Sequence, residues 1–248
     1  MRRTCKLTLE YDGTDFVGWQ YQTNGRSVQE IVEKALSQIL REEIKVVGAG
    51  RTDSGVHAKG QVASFTLESS LDCNAIVRGL NGVLPDDVAA LDVKDVADGF
   101  NARYDAKSRS YQYVIVNRPS VLSRRFAWVI GYKLDIDAMR GCLDEIRGTH
   151  SFESFCKVDS NVEHHRCAVL HASWEERAEQ EFVFEITANR FLYGMVRALV
   201  GTMVDIGRGH TPQSSFKQIL ESKDRRNAGV SAPSKGLFLI HVDYENLA

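Results

Sequence analysis

The chain has 248 residues, 43% of them hydrophobic and 26% charged, with a formal net charge of −2. This is the balance of an ordinary soluble globular protein, long enough for one large domain or two small ones. No apolar run approaches a membrane span, and five cysteines without paired spacing predict reduced thiols in a cytoplasmic protein rather than a disulfide framework.

The opening MRRTCKLTLEYDG is basic but turns at once into a strand in which Cys5, Leu7, Leu9 and Tyr11 alternate, so it is not read as a signal peptide. Ser27-x-x-Glu30 has capping-box form and starts a helix with Val28, Ile31, Val32, Ala35, Leu36, Ile39 and Leu40 on one face. Strands follow at about 44–49 and 61–67, then a helix near 73–84 closed by Leu84-Pro85, then a strand near 88–96. The order β-α-β-β-α-β is the ferredoxin-like arrangement.

Between those two middle strands lies the densest collection of chemical groups in the chain, Gly48–Phe65, GAGRTDSGVHAKGQVASF. Glycines at 48, 50, 55 and 60 let backbone approach a ligand closely, and Arg51, Asp53, His57 and Lys59 are set among them. Asp53 is the single carboxylate of the stretch, with cations on both sides. Such a loop is either a site held by flanking strands or a solvated hairpin tip. Two nucleotide-binding patterns fail on spacing. Asp53 occupies the third glycine position of a dinucleotide fingerprint, and Val56-His57 replaces the Lys-Ser/Thr of a P-loop. No cofactor is implied.

The second half repeats the order more loosely, without sequence repetition. A strand at about 108–117 precedes a basic irregular stretch and a short apolar run at 126–131. A helix near 135–147, strands near 165–175 and 181–188, a long helix from about 190 to 206, a short helix capped by Thr211-Pro212 and a closing strand at 236–244 complete it. The predicted class is therefore α+β: two ferredoxin-like halves with mainly antiparallel sheets forming a central cleft. The halves are residues 1–104 and 105–248, joined near Phe100–Lys107 where acidic sequence gives way to basic.

Arg197 lies within the long helix, among residues apolar nearly all round. A guanidinium there needs an acceptor, because an unpaired buried charge costs several kcal/mol. Asp205 or a helix-end carbonyl would make the role architectural; Asp53, from the other half, would make it functional. Tyr111 and Tyr113 share a strand face near Ser108 and Arg109, as a half-buried aromatic strand would. His150, Cys156, His164, His165, Cys167 and His171 crowd one region but lack the close paired-cysteine spacing of zinc modules, and no metal is expected.

The charges are unevenly spread. Six cations and one acid lie in 101–126, seven cations and three acids in 190–226, but twelve acids and five cations in 135–185. Concentrated cations could bind a polyanion on one face, or simply be solvated.

Arg51-Thr-Asp53-Ser-Gly55-Val-His57-Ala resembles the catalytic segment of the tRNA pseudouridine synthases of the TruA type. The likeness covers nearly the whole chain. Glu10-Tyr-Asp12-Gly13 with Phe16, Gly18-Trp19-Gln20 and Ser27-Val-Gln29 resembles the family's opening. Phe100-Asn-Ala-Arg103, Tyr111-Gln-Tyr113, Asn189-Arg-Phe191-Leu with Met195-Val-Arg197, and Ala232-Pro233 with Gly236-Leu237 follow in the family's order. The resemblance implies Asp53 as catalytic nucleophile, Arg197 as its cationic partner and Tyr111 as the ring that stacks on the target base. Tyr113 is then a core residue. It implies isomerisation of uridine to pseudouridine at positions 38, 39 and 40 of the tRNA anticodon stem-loop by a homodimer. Arg51, His57, Arg103, Lys107, Arg109 and Arg125 are the expected substrate contacts, His57 also shaping its glycine loop. The rival reading is a non-catalytic RNA-binding module. Two departures stand out: Ser54 where alanine is common, and Gly194 where a larger polar residue is common and where glycine would loosen the helix before Arg197.

Overall fold

A computed structural model of the chain describes residues 2–157, 163–178 and 180–244. It is a mixed α+β fold whose strands pair mostly antiparallel, in two compact units. One unit comprises residues up to Lys107 together with those from Phe238 onward, and the other is Ser108–Leu237. The division expected at 104/105 leaves the final strand with the second half, whereas its residues from Phe238 group with the first unit.

In the first unit, β1 (Arg3–Tyr11) lies between two antiparallel neighbours. It pairs with β3 (His57–Leu67) from Arg3↔Leu67 to Tyr11↔Ala58, and with β4 (Val88–Val96) from Thr4↔Val96 to Tyr11↔Val88. A two-residue β2 (Val47–Gly48) pairs with the outer side of β3, giving the order β4-β1-β3-β2. The helices are α1 (Val28–Leu40) and α2 (Cys73–Val83). Both open on side-chain caps: Ser27 Oγ accepts the Glu30 amide at 3.4 Å, and Asp72 Oδ1 accepts that of Ala75 at 2.8 Å. Only half of the expected capping box forms, because the Glu30 carboxylate pairs with Lys34 at 2.6 Å instead. Val28, Val32, Ala35, Leu36 and Leu40 of α1 are buried, while Ile31 and Ile39 are half-buried at the edges of that stripe.

The strand expected at 44–49 shrinks to two residues for a definable reason. Ser37 Oγ accepts the Ile44 amide at 2.9 Å and Glu33 Oε1 that of Val46 at 3.1 Å, so α1 side chains take donors that a ladder would use. The facing strand starts earlier than expected, at His57. Ala58 has Tyr11 as its antiparallel partner, and tertiary pairing overrides the glycines around it.

In the second unit β5 (Ser108–Val116), β9 (Glu181–Ala188), β8 (Arg166–Ala178) and β7 (Gly148–Ser151) form an antiparallel run in that spatial order. A short β6 (Trp128–Val129) runs parallel to β5. The helix expected over 135–147 is two pieces, α3 (Ile136–Arg140) and α4 (Leu143–Ile146), interrupted at Gly141 where the Gln213 amide packs. The buried face nevertheless persists through Met139, Cys142, Leu143 and Ile146. The long helix starts later than expected: α5 is Met195–Gly207, and all of it is buried except Arg197 and Asp205. Proline 212 caps a 3₁₀ turn, Gln213–Ser215, that leads into α6 (Phe216–Glu221). The last strand, β10 (Leu237–Asp243), brings Phe238 and Leu239 parallel to His57 and Ala58 of the first unit. No helix among the described residues is long and apolar enough to cross a membrane.

Candidate active site

Asp53 sits half-buried in the loop between β2 and β3, followed by a turn in which the Val56 amide reaches the Asp53 carbonyl at 3.1 Å. The segment Phe16–Trp19 holds this loop from outside. Trp19 N–H donates to the Thr52 carbonyl at 3.1 Å, and Gly55 N–H donates to the Phe16 carbonyl at 3.2 Å. Gly18 makes the approach possible: its φ is +118°, and a Cβ there would lie 2.6 Å from the Thr52 carbonyl oxygen. Ser54 Oγ adds a bond to the Phe16 carbonyl at 3.2 Å, which gives this departure from the family pattern a local role.

Beneath the loop runs a buried polar chain that sequence reasoning missed. Tyr11 Oη lies 2.8 Å from Thr52 Oγ1, and Gln61 Nε2 donates to the Gly50 carbonyl at 3.0 Å and to Tyr11 Oη at 3.4 Å. Burial pushes the Tyr11 hydroxyl up to about 12, with the bonds to Thr52 and Gln61 opposing that rise. The phenol is therefore a neutral structural group.

His57 is 1% exposed and stacks on Phe238, with ring centroids 4.8 Å apart. Its Nδ1 has two neighbours, the Gly13 N–H at 3.0 Å and Asp12 Oδ1 at 3.1 Å. With the proton on Nε2, Nδ1 accepts from Gly13; with a proton on Nδ1, it donates to Asp12. In either form the ring ties the start of β3 to the Asp12–Gly13 turn. Arg51 is exposed beside Asp53, and Arg103 and Lys107, also of the first unit, are exposed too.

In the second unit Tyr111 is 9% exposed on β5, edge-on to Phe191 at 5.0 Å and 82°. Tyr113, two residues on, is fully buried, and its hydroxyl donates to the Pro233 carbonyl at 2.7 Å. Burial holds that phenol far above the usual range. Arg197 lies in the first turn of α5, half-buried. Its Nε donates to the Ala232 carbonyl at 2.8 Å, so a backbone carbonyl is one of its partners. Asp205, the other architectural candidate, lies 3.8 Å from Arg208. The Ala232-Pro233 step therefore serves Arg197 with one carbonyl and Tyr113 with the next, a bracing function that its apolar sequence does not advertise.

Gly194 precedes α5 rather than weakening it. Its φ is +73° at the N-cap, a left-handed conformation in which a side chain is strained. Arg109 Nη1 donates to the Asn189 carbonyl at 3.0 Å, bracing the end of β9, whereas Arg125 is exposed at the end of a 3₁₀ turn, Leu122–Arg125. Several cations of 190–226 are likewise engaged locally: Arg226 with Asp224 at 2.7 Å, Lys217 with Glu145 at 3.9 Å, and Arg225 with the Ala228 carbonyl at 3.1 Å. Among the described residues, the one group of three His, Cys, Asp or Glu side chains close enough to share an ion is Cys5, Cys73 and Asp95, outside the Cys/His region.

The profile of the tRNA pseudouridine synthase family matches residues 8–105 and 143–245, spanning both units. The chain belongs to this family of RNA-modifying isomerases. It is 41% identical over 244 residues to the tRNA pseudouridine synthase A of Thermoanaerobacter sp., covering 98% of this chain and 100% of that one. The corresponding enzyme of Exiguobacterium sibiricum is 40% identical, with 98% and 97% covered, and that of Bacteroides thetaiotaomicron 41%, with 96% and 89% covered. Among solved structures, a Cbf5-Nop10-Gar1 complex aligns over 81% of this chain and 45% of its own, at 14% identity and a TM-score of 0.38, too slight a likeness to bear on the fold.

Proposed function

We propose that the chain is a tRNA pseudouridine synthase that isomerises uridine at positions 38, 39 and 40 of the anticodon stem-loop, with Asp53 as the catalytic nucleophile. The observation that carries this is the placement of the family's aspartate. Asp53 is half-buried in a loop whose neighbours Thr52, Ser54 and Gly55 are each hydrogen-bonded to fixed parts of the first unit. A solvated hairpin tip has no need of such bracing.

The reaction moves atoms without consuming any. The N1–C1′ bond breaks, the freed uracil turns within the site, and C5 bonds to C1′ while the C5 proton is lost and N1 gains one. Asp53 serves it by attacking C1′ or C6, or by assisting deprotonation of the sugar. In this reading Arg197 pairs with the ionised Asp53 across two ferredoxin-like halves that flank a central cleft. Tyr111 gives the flipped base a stacking face. Arg51, His57, Arg103, Lys107, Arg109 and Arg125 line the path of the RNA, and the enzyme works as a cytoplasmic homodimer.

The test is pseudouridine formation by the purified protein on three unmodified tRNA transcripts, each with one uridine at 38, 39 or 40. Turnover on all three is expected. Tight binding without turnover on any would favour a non-catalytic RNA-binding module.

A further inference from the structure

We propose that Cys5, Cys73 and Asp95 form a binding site for a thiophilic divalent cation of the zinc class. The three residues come from three different elements of the first unit. Cys5 is on β1, Asp95 is its register partner on β4, and Cys73 is the first residue of α2. Cys5 Sγ lies 3.4 Å from Asp95 Oδ1 and Cys73 Sγ lies 3.6 Å from Oδ2, and the candidate ligand atoms are all within 4.8 Å of one another. A tetrahedral zinc ion, with bonds of about 2.3 Å to sulfur and about 2.0 Å to oxygen, separates a sulfur from an oxygen ligand by roughly 3.5 Å. Each sulfur lies at about that distance from one oxygen of Asp95, Cys5 from Oδ1 and Cys73 from Oδ2, so the carboxylate stands between the two thiols.

The surroundings supply what such a site needs beyond its ligands. Arg3 Nη1 donates to both Asp95 oxygens at 2.9 and 3.0 Å, and its other terminal nitrogen donates to the Leu71 carbonyl just ahead of α2. Metal-bound carboxylates are commonly held in this way by an outer donor. The charges also close. Two thiolates and one carboxylate around a divalent cation leave a single negative charge, which the Arg3 guanidinium cancels. Cys5 is fully buried, Cys73 is partly exposed and Asp95 is exposed, so an ion has a path in from the carboxylate side. The fourth position would be open to water.

Uptake has a proton cost that makes it recognisable. Burial, with Asp95 adding to it, pushes the Cys5 thiol up to about 12, so without an ion the thiol stays protonated and unreactive. A bound ion would have to displace that proton. No step of uridine isomerisation depends on this site.

The experiment uses the full chain, kept reduced with a phosphine and stripped with a chelator, then titrated with Cd²⁺ as a spectroscopic probe. One equivalent should bind, with the thiolate-to-metal absorption of two sulfurs, and Zn²⁺ should displace it. Cys73→Ser, at a partly exposed position that tolerates the change, should lose that absorption and at least about tenfold in affinity; Arg3→Met should weaken binding by about tenfold. Cys167→Ser should bind as the unaltered protein does. Identical titrations of the unaltered protein and Cys73→Ser would overturn the proposal. So would the formation of a Cys5–Cys73 disulfide by oxidised glutathione in a protein that, when reduced, takes up no Cd²⁺.

Discussion

Arg197 and Ala232 hold each other twice. The Arg197 Nε donates to the Ala232 carbonyl at 2.8 Å, and the Ala232 amide returns to the Arg197 carbonyl at 2.9 Å. The reciprocal bonds fix both the backbone and the plane of the guanidinium, and the next carbonyl, that of Pro233, takes the Tyr113 hydroxyl. A flexible cation is thereby turned into an oriented one.

Arg197→Lys tests whether that orientation serves chemistry. Lysine keeps the charge but lacks the Nε–H and the planar fork. We expect kcat to fall by about a hundredfold, the scale on which a displaced catalytic group costs rate, with KM for tRNA little changed. Loss of the Ala232 bond should lower stability by only roughly 1 kcal/mol. Arg197→Met should reduce kcat further. A kcat within a few-fold of the unaltered enzyme in both variants would make Arg197 architectural.

The basic residues differ in exposure, and replacing the most exposed of them tests their part in RNA binding. Arg103, Lys107 and Arg125 are exposed, whereas Arg109 is tied to the Asn189 carbonyl. Replacing the first three with glutamine should weaken tRNA binding and reduce the salt slope by about 0.9 for each duplex phosphate that is no longer neutralised. Arg109→Gln should weaken tRNA binding as well, and because its side chain also holds the Asn189 carbonyl it should in addition lower Tm. Equal slopes for the triple variant and the unaltered protein would return those three residues to a merely solvating role.

How much of the molecule is legible in its sequence depends on whether a feature is local. The α1 face, the helix near 73–84 closed by Leu84-Pro85 and the strand at 88–96 follow from periodicity and turn signals, and they lie where the pattern puts them. The start of β3 at His57 does not follow, because its partners Tyr11 and Phe238 lie far off in sequence. Gly194 reads in sequence as a weak point within a helix, but one left-handed residue moves the helix start to Met195, and a backbone angle has no sequence periodicity. The Asp53 string is marked as a candidate site by resemblance. Its support by Tyr11, Thr52 and Gln61 is not, because buried polar chains join residues that look like ordinary strand members.

That polar chain predicts an alkaline weakness. The Tyr11 hydroxyl ionises near 10 when unfolded and is pushed up to about 12 when folded. Below pH 10 both states hold the proton, and the contribution is fully present. As pH rises from about 10 to about 12 the unfolded chain releases the proton first, so stability falls by up to about 1.4 kcal/mol per pH unit. Cys5 and Cys142, also pushed up to about 12, add a similar slope that begins nearer 9. Urea midpoints should therefore drop between about pH 9 and about pH 12, and Tyr11→Phe should remove only its own part of the drop, above about pH 10. An unchanged slope in that variant would show that the phenol already meets water in the folded state.

Two substitutions around the Asp53 loop should separate chemistry from placement. Asp53→Asn is close to isosteric, so it should abolish isomerisation while Tm barely moves and tRNA affinity stays within a few-fold. Gly18→Ala leaves every proposed catalytic group intact but puts a Cβ where only 2.6 Å separates it from the Thr52 carbonyl oxygen, at a φ of +118°. The carbonyl must retreat, and with it the bond from the Trp19 amide and the backbone that carries Asp53. We expect a loss of roughly 1–3 kcal/mol of stability, the range for a strained backbone, together with a fall in kcat below the melting range. The pairing of outcomes decides the matter. Activity lost without stability at Asp53, and both lost together at Gly18, would mean that the carboxylate does the chemistry and the Phe16–Trp19 segment holds it in place. Retained turnover in Asp53→Asn would remove the nucleophile from this loop altogether.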